Sequence, residues 1–364
     1  MITKIYTDFK YLTSSKESHL NPIIWAQIDK ISLEEKKRKH HFRYTSFNLV
    51  DNYKEADYWM LPNTWPHYVI GKSQHLAKQF CEMAFKNGKY VIVWSGGDPE
   101  WILPYKNAIL FQEGIHKNID RNHEFVFERP GFVEDYINLY FNNHWMPIFN
   151  EEPTIGFCGQ ADSRFISKIR FYIRNTITKL KYKFGISAYL PIIHGYPVNL
   201  RRKVLQLLSN SSSIKSDFII RNQYLAGIRT KDSIIKKTHT TRIDFAHNIY
   251  NNIYTLCVRG TGNYSKRFYE TLCCGRIPIL LNTDSILPFE EFIDWEKHII
   301  MIEIDEMNNI SGIVNGFHKK HSKLELEKIQ RSNRELWVNF LSTTGYYSHF
   351  HLYNNIILSK DLSN

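Results

Sequence analysis

Short apolar runs alternate with longer stretches of helical periodicity along most of the chain. In the first half the runs are Tyr58-Trp59-Met60-Leu61, Tyr90-Val91-Ile92-Val93-Trp94, Ala108-Ile109-Leu110-Phe111 and Phe125-Val126-Phe127, with Lys4-Ile5-Tyr6 as a weak edge strand. Between them, residues 73–85 place Leu76, Phe80 and Ala84 at helical spacing and end at Asn87-Gly88, a good C-terminal stop. Near Pro147 to Pro153 the chain turns polar, and a fresh strand follows in Thr154-Ile155-Gly156-Phe157-Cys158-Gly159. Later strands are predicted at 218–220, 253–257, 277–281 and 299–302, with helices near 200–208, 242–250, 266–274 and 324–341.

Strands alternating with helices predict parallel sheets. The expected fold class is α/β: two Rossmann-like parallel-sheet domains facing a central cleft, with ligands outside the carboxyl ends of the strands. The expected division is a first domain over 1–150, a second over 151–342, and a segment 343–364 that packs back on the first. A total of 364 residues suits two domains of ordinary size.

The net charge of +11 narrows the partners to nucleic acid, an anionic membrane surface or a phosphorylated small molecule. The sequence shows no helix-turn-helix, zinc-finger or RNA-recognition signature, so a nucleic-acid partner is not expected. Cys81, Cys158, Cys257, Cys273 and Cys274 form no C-x-x-C pair and read as small apolar core residues of a reducing compartment. No secretory leader pattern and no run of 18 apolar residues is present, so a cytosolic chain is expected, soluble or peripheral on the inner face of the membrane.

Candidate chemistry concentrates after the strand at 253–257. There Arg259-Gly260-Thr261-Gly262-Asn263-Tyr264-Ser265 forms a loop with two glycines, and Ser265 is a good N-cap for the helix that follows. Lys266 and Arg267 have the wrong sign for a helix start, which already carries partial positive charge. A bound diphosphate resolves the conflict, because helix N-termini and Arg forks are natural phosphate sites. A bland alternative is a surface helix with Lys266 and Arg267 each paired to Glu270, worth roughly 0.2–0.5 kcal/mol per pair. It leaves Arg259 and the glycines unexplained. Glu270, one turn on, is placed to accept the hydroxyls of a ribose.

The series Arg259-Gly260, Ser265-Lys266-Arg267-Phe268-Tyr269-Glu270, Gly275, Ile277-Pro278-Ile279, Leu287-Pro288-Phe289 and Ile293-Asp294-Trp295 resembles the exostosin domain of glycosyltransferase family 47. Weaker echoes are Glu55 to Pro62, Val91 to Gly97 and Ile155 to Gly159. The resemblance implies a GT-B fold and a nucleoside-diphosphate sugar donor, often a UDP-sugar, held by Arg259, Gly260, Gly262, Tyr264, Ser265, Lys266, Arg267 and Glu270. It also implies a glycan acceptor on the first domain, inversion at the anomeric carbon, and no obligatory metal or other cofactor. The signal anchor of the animal Golgi members has no counterpart here. The expectation is therefore a bacterial enzyme of surface polysaccharide or lipopolysaccharide synthesis.

An inverting transfer needs a general base from the first domain. Asp98, directly after the strand and the turn Ser95-Gly96-Gly97, is the first candidate, although Asp98-Pro99 is equally a turn-initiating pair. Glu113 is second and His116 third. There is no Asp-X-Asp pair, and Glu303-Ile304-Asp305 reads as solvated loop; His318 with His321, and His349 with His351, lack a third ligand. A basic helix from Arg164 to Phe184 carries Lys168, Arg170, Arg174, Lys179, Lys181 and Lys183, with Ile166, Ile169, Ile173, Ile177, Leu180 and Phe184 on one face. That face is expected to pack on its own sheet; the alternative is attachment to an anionic leaflet bearing lipid-linked acceptors. The run Lys36-Lys37-Arg38-Lys39-His40-His41 reads as a solvated helix end. Rival readings are a fucosyltransferase-like enzyme using a GDP-sugar and a non-catalytic polyanion binder. A dehydrogenase is disfavoured by the lack of G-x-G-x-x-G between a first strand and helix.

Overall fold

A computed structural model describes residues 2–14, 16, 21, 23, 47–119, 125–162, 165–223 and 240–361 of the chain. The basic run at 36–41 and Arg164 lie outside the described residues.

The first sheet contains β1 (Thr3–Tyr6), β2 (Phe47–Leu49), β3 (Tyr58–Met60), β4 (Val91–Trp94), β5 (Ala108–Gln112) and β6 (Phe125–Glu128). Its order is β2-β1-β3-β4-β5-β6, and every pairing is parallel. β4 and β5 are buried along their whole length, which explains why they read as unbroken apolar runs rather than alternating ones. The expectation of β1 at an edge is corrected: β2 lies outside it. β2 is only Phe-Asn-Leu, too short to register as an apolar run.

On one face of this sheet lie α1 (Trp65–Ile70) and α2 (Gln74–Lys86), sharing a core with Trp59, Val91, Val93 and Leu110. A short helix, α3 (Tyr136–Tyr140), follows β6; Asp135 caps it through the Ile137 N–H.

The second sheet contains β7 (Thr154–Gln160), β8 (Lys215–Arg221), β9 (Tyr254–Cys257), β10 (Ile277–Asn282) and β11 (Ile300–Glu303), in the order β11-β10-β9-β7-β8 and again wholly parallel. Around it run α4 (Phe165–Lys183), α5 (Pro197–Ser209), α6 (Thr240–Tyr250), α7 (Lys266–Cys273), α8 (Ile310–Lys320) and α9 (Lys323–Leu336). Ser322 and Glu325 form a reciprocal capping box at the start of α9. The chain then passes through a π-turn at Trp337–Leu341 into α10 (Thr343–Ser348) and α11 (His351–Asp361).

α10 and α11 return to the first sheet. Tyr347 stacks on Trp94, Tyr353 packs edge-on to Phe111, and Asn354 Nδ2 donates to Thr3 Oγ1 at 3.1 Å. Two Rossmann-like parallel sheets thus face one another across a cleft in the GT-B plan, with the chain crossing back at its end.

α4 departs from expectation. Its apolar stripe does not pack on the sheet: Ile166, Ile169, Ile173, Ile177 and Leu180 are all exposed, as is Phe184 just beyond, and Asn175 is the helix's buried residue.

Candidate active site

The loop between β9 and α7 meets two loops of the first sheet in the cleft. The close approach requires glycine: a Cβ on Gly262 would stand 2.6 Å from the Asp98 carbonyl oxygen. The Gly262 N–H and the Thr261 hydroxyl lie close enough to the Asp98 carboxylate to favour its charged form. On the same interface Asn263 Oδ1 accepts from Thr283 at 2.7 Å, while its amide reaches the Ile115 and Asp284 carbonyls.

Two cavities flank this junction. The larger, about 630 Å³, is lined by Arg201, Arg221, Arg242, Lys266 and Arg267, with Ser265, Gly260, Tyr264 and Glu270 in the same wall. Ser265 is the N-cap of α7 in backbone geometry, yet its hydroxyl makes no cap bond. Arg267 lies over Phe157 at 4.3 Å and Phe245 at 5.5 Å, and its Nη2 donates to the Cys158 carbonyl at 2.8 Å. Gly159 makes room for it, since a Cβ there would stand 2.7 Å from that nitrogen. Burial lowers the Arg267 pKa, and its Nε has no partner among the described residues. Neither Lys266 nor Arg267 forms an ion pair with Glu270 among the described residues. Glu270 Oε1 instead accepts from Tyr136 Oη at 2.8 Å, a hydroxyl whose pKa burial holds well up.

The smaller cavity, about 400 Å³, is walled by Asp98, Glu100, His116, Arg170, Arg174 and Arg259, among others. Asp98 and Thr261 line both cavities. Asp98 stays accessible to solvent, but the surrounding protein raises its pKa against the opposing pull of the Gly262 N–H, Arg201 and Thr261. His116 Nδ1 lies 2.6 Å from Glu100 Oε2, and both residues are buried. The loop bearing His116 is fixed by Glu128, whose carboxylate accepts from the Gly114 and Ile115 N–H groups at 2.9 and 2.8 Å.

The candidates therefore separate. Gly260, Tyr264, Ser265, Lys266, Arg267 and Glu270 share the larger cavity, while Gly262 lies in the wall of the smaller one. Arg259 also faces the smaller cavity; its Nη2 donates to the Gly195 carbonyl at 3.0 Å, and burial brings its pKa down to about 10. Glu113 lines neither cavity. Its Oε1 is 3.2 Å from Arg129 Nη2, its charge adds to burial in holding the Tyr264 hydroxyl's pKa up, and Arg129 Nε donates to the Ser95 carbonyl at 2.9 Å. This chain of contacts braces the turn that presents Asp98.

The stretch that supplies most of the larger cavity's wall matches a known family profile, the Exostosin GT47 domain, over residues 176–317. Over that stretch the chain is similar to the exostosin domain. A probable glycosyltransferase of Arabidopsis thaliana is 21% identical over 111 residues, 30% of this chain and 24% of its own length. Human exostosin-2 is 22% identical over 106 residues, 29% of this chain and 14% of its own length. A probable glucuronoxylan glucuronosyltransferase of the same plant is 24% identical over 165 residues, 41% of this chain and 34% of its own length. The chain thus spans a minor part of these relatives. Among solved structures, a glycosyltransferase from Rickettsia africae aligns with 98% of both chains at a TM-score of 0.39 and 10% identity. WaaG, a glycosyltransferase involved in lipopolysaccharide biosynthesis, aligns with 96% of this chain and 98% of its own at 0.34 and 9%. At such scores the architecture rests on the strand orders above.

The matched stretch holds Arg201, Arg221, Arg242, Lys266, Arg267 and Glu270, whereas Asp98, Glu100 and His116 belong to the first sheet. Arg201, Arg221 and Arg242 escape a reading of the sequence because they come from α5, the end of β8 and α6, far from the glycine loop. Glu100 escapes because only the fold brings it to His116. The signal within reach was the Arg201-Arg202 pair at the front of α5. Among the described residues, no three His, Cys, Asp or Glu side chains stand together as a metal-ligand group.

Proposed function

We propose that the protein is an inverting glycosyltransferase that moves a sugar from a nucleoside-diphosphate donor, a UDP-sugar, to a glycan acceptor in bacterial surface polysaccharide or lipopolysaccharide synthesis. The observation that carries this reading is the larger cavity: five cations and an open helix start, with one buried carboxylate a turn further on, inside the stretch similar to the exostosin domain. Lys266, Arg201, Arg242 and the first N–H groups of α7 meet the diphosphate, and Arg267 completes the field. Glu270, oriented by Tyr136, accepts the ribose hydroxyls.

The acceptor enters from the smaller cavity. Asp98, in the wall common to both cavities, takes the proton of the acceptor hydroxyl as its oxygen attacks the anomeric carbon. The bond from that carbon to the diphosphate breaks on the opposite face, and the leaving oxygen's charge falls on the cations. His116, held by Glu100, and Arg259 position the acceptor. This division of labour needs no obligatory metal. Five free thiols suit a reducing compartment, the cytoplasm.

Thermal shift with UDP, GDP, dTDP and CMP tests the donor, since a ligand that binds only the folded state raises its stability. A shift with UDP alone is expected. A larger shift with GDP would move the enzyme to the fucosyltransferase-like reading, and no shift with any nucleotide alongside salt-sensitive heparin binding would leave a polyanion binder.

A further inference from the structure

We propose that α4 is an in-plane membrane anchor that docks the protein on an anionic bilayer and sets the smaller cavity at headgroup level. The helix is 19 residues long, about 28 Å. Ile166, Ile173, Leu180 and Phe184 are 60, 57, 53 and 71% exposed, and Ile169 and Ile177 continue the same stripe. At about 100° per residue these six fall on one narrow face from end to end. Exposed Ile186 and Ile193 extend the apolar surface beyond the helix.

The charges select the occupant. By the same periodicity Arg170, Arg174 and Lys181 flank the stripe on one side, and Lys183 and then Lys179 on the other; the helix contains no Asp or Glu. A cationic border around an apolar face is the pattern of an interfacial helix on anionic lipid. A second copy of the chain on this face would bring two such borders together with no acid between them. Helical length and hydropathy exclude a spanning role: none of the described helices is long and apolar enough to cross a membrane.

The position of the helix ties docking to the site. Ser167, Arg170, Phe171, Arg174, Asn175 and Thr178 form one wall of the smaller cavity, roughly a third of a turn round the helix from the stripe. Arg170 and Arg174 thus belong to both the basic border and the cavity. Asn175 fixes the helix there, its amide exchanging hydrogen bonds of 2.9 Å with the Ile192 N–H and carbonyl. The inference rests on the transferase reading only for what enters that cavity, a lipid-borne acceptor; docking itself does not depend on it.

The test is co-sedimentation of the full chain with phosphatidylcholine vesicles with and without about 30% phosphatidylglycerol, alongside the UDP thermal shift. One variant carries Ile169→Asn, Ile173→Asn and Leu180→Asn; another carries Lys179→Gln, Lys181→Gln and Lys183→Gln. Wild type is expected to bind anionic vesicles at least tenfold better than neutral ones, and each variant to lose that binding at least tenfold with its UDP shift unchanged. Equal binding to both vesicle types, or full retention by either variant, overturns the proposal. So does self-association, abolished by the Asn variant, in a protein that ignores vesicles. Vesicle binding without any nucleotide shift would leave the anchor standing and remove the transferase reading.

Discussion

Asp98 and Gly262 touch across the cleft, backbone against backbone, and the Gly262 N–H favours the charged form of the Asp98 carboxylate. A methyl group at position 262 has no room beside the Asp98 carbonyl oxygen. Gly262→Ala is expected to fold and to bind UDP, but to part the loops and lower turnover by about 100-fold, the cost of misplacing a reacting group by an ångström. Steady-state kinetics with nucleotide titration checks this.

Asp98→Asn separates chemistry from stability. The carboxyl must be ionised to take a proton, and its pKa is raised, so the rate should fall as pH drops through a value above the ordinary carboxylate range. The native state holds this proton more tightly than the unfolded chain, so ionisation at neutral pH opposes folding. The variant should therefore melt no lower than wild type while losing about 100-fold or more in turnover. A pH–rate profile and a melting curve of both proteins decide it.

Lys266→Ala removes an exposed cation with no ion pair among the described residues. Its melting temperature should stay within a degree or two, while UDP affinity falls by about tenfold. If the Glu270 carboxylate accepts the ribose hydroxyls as proposed, Glu270→Gln should weaken UDP more than it weakens inorganic pyrophosphate. Calorimetric titration with both ligands makes the comparison.

Glu100→Gln loosens His116 without touching the donor cavity. The acceptor KM should rise several-fold and UDP binding stay unchanged. An unaltered acceptor KM would remove His116 and Glu100 from the acceptor site.

If, as proposed, cations of the chain itself carry the leaving group, transfer should persist after exhaustive EDTA treatment. Loss of activity that Mg²⁺ or Mn²⁺ restores would assign part of that task to a metal.

The parallel strands were legible because a strand covered on both faces must be apolar throughout: Tyr90 to Trp94 and Ile277 to Leu281 could hardly have been anything else. The glycine loop and α7 were legible because their cations conflict with a helix start. Arg259 lies apart from the other donor candidates for a reason sequence does not expose: the Gly195 carbonyl captures its guanidinium and turns it into the smaller cavity. Its place in the larger one is filled by Arg201, Arg221 and Arg242, whose convergence depends on three separate elements. The periodicity of α4 was equally plain, but periodicity says only that a face is apolar. Whether protein, lipid or water covers it is decided by what the rest of the chain leaves uncovered.

The return of α10 and α11 to the first sheet makes the two halves mutually dependent. Tyr347, Tyr353 and Ile357 supply part of the core around Trp94, Phe111 and Phe127. A fragment cut near residue 150 would bare that aromatic surface to water, and a tail removed after residue 342 would do the same from the other side. Truncation series would thus report aggregation rather than separable lobes, and a fragment comprising the exostosin stretch alone would be a poor surrogate for the whole chain.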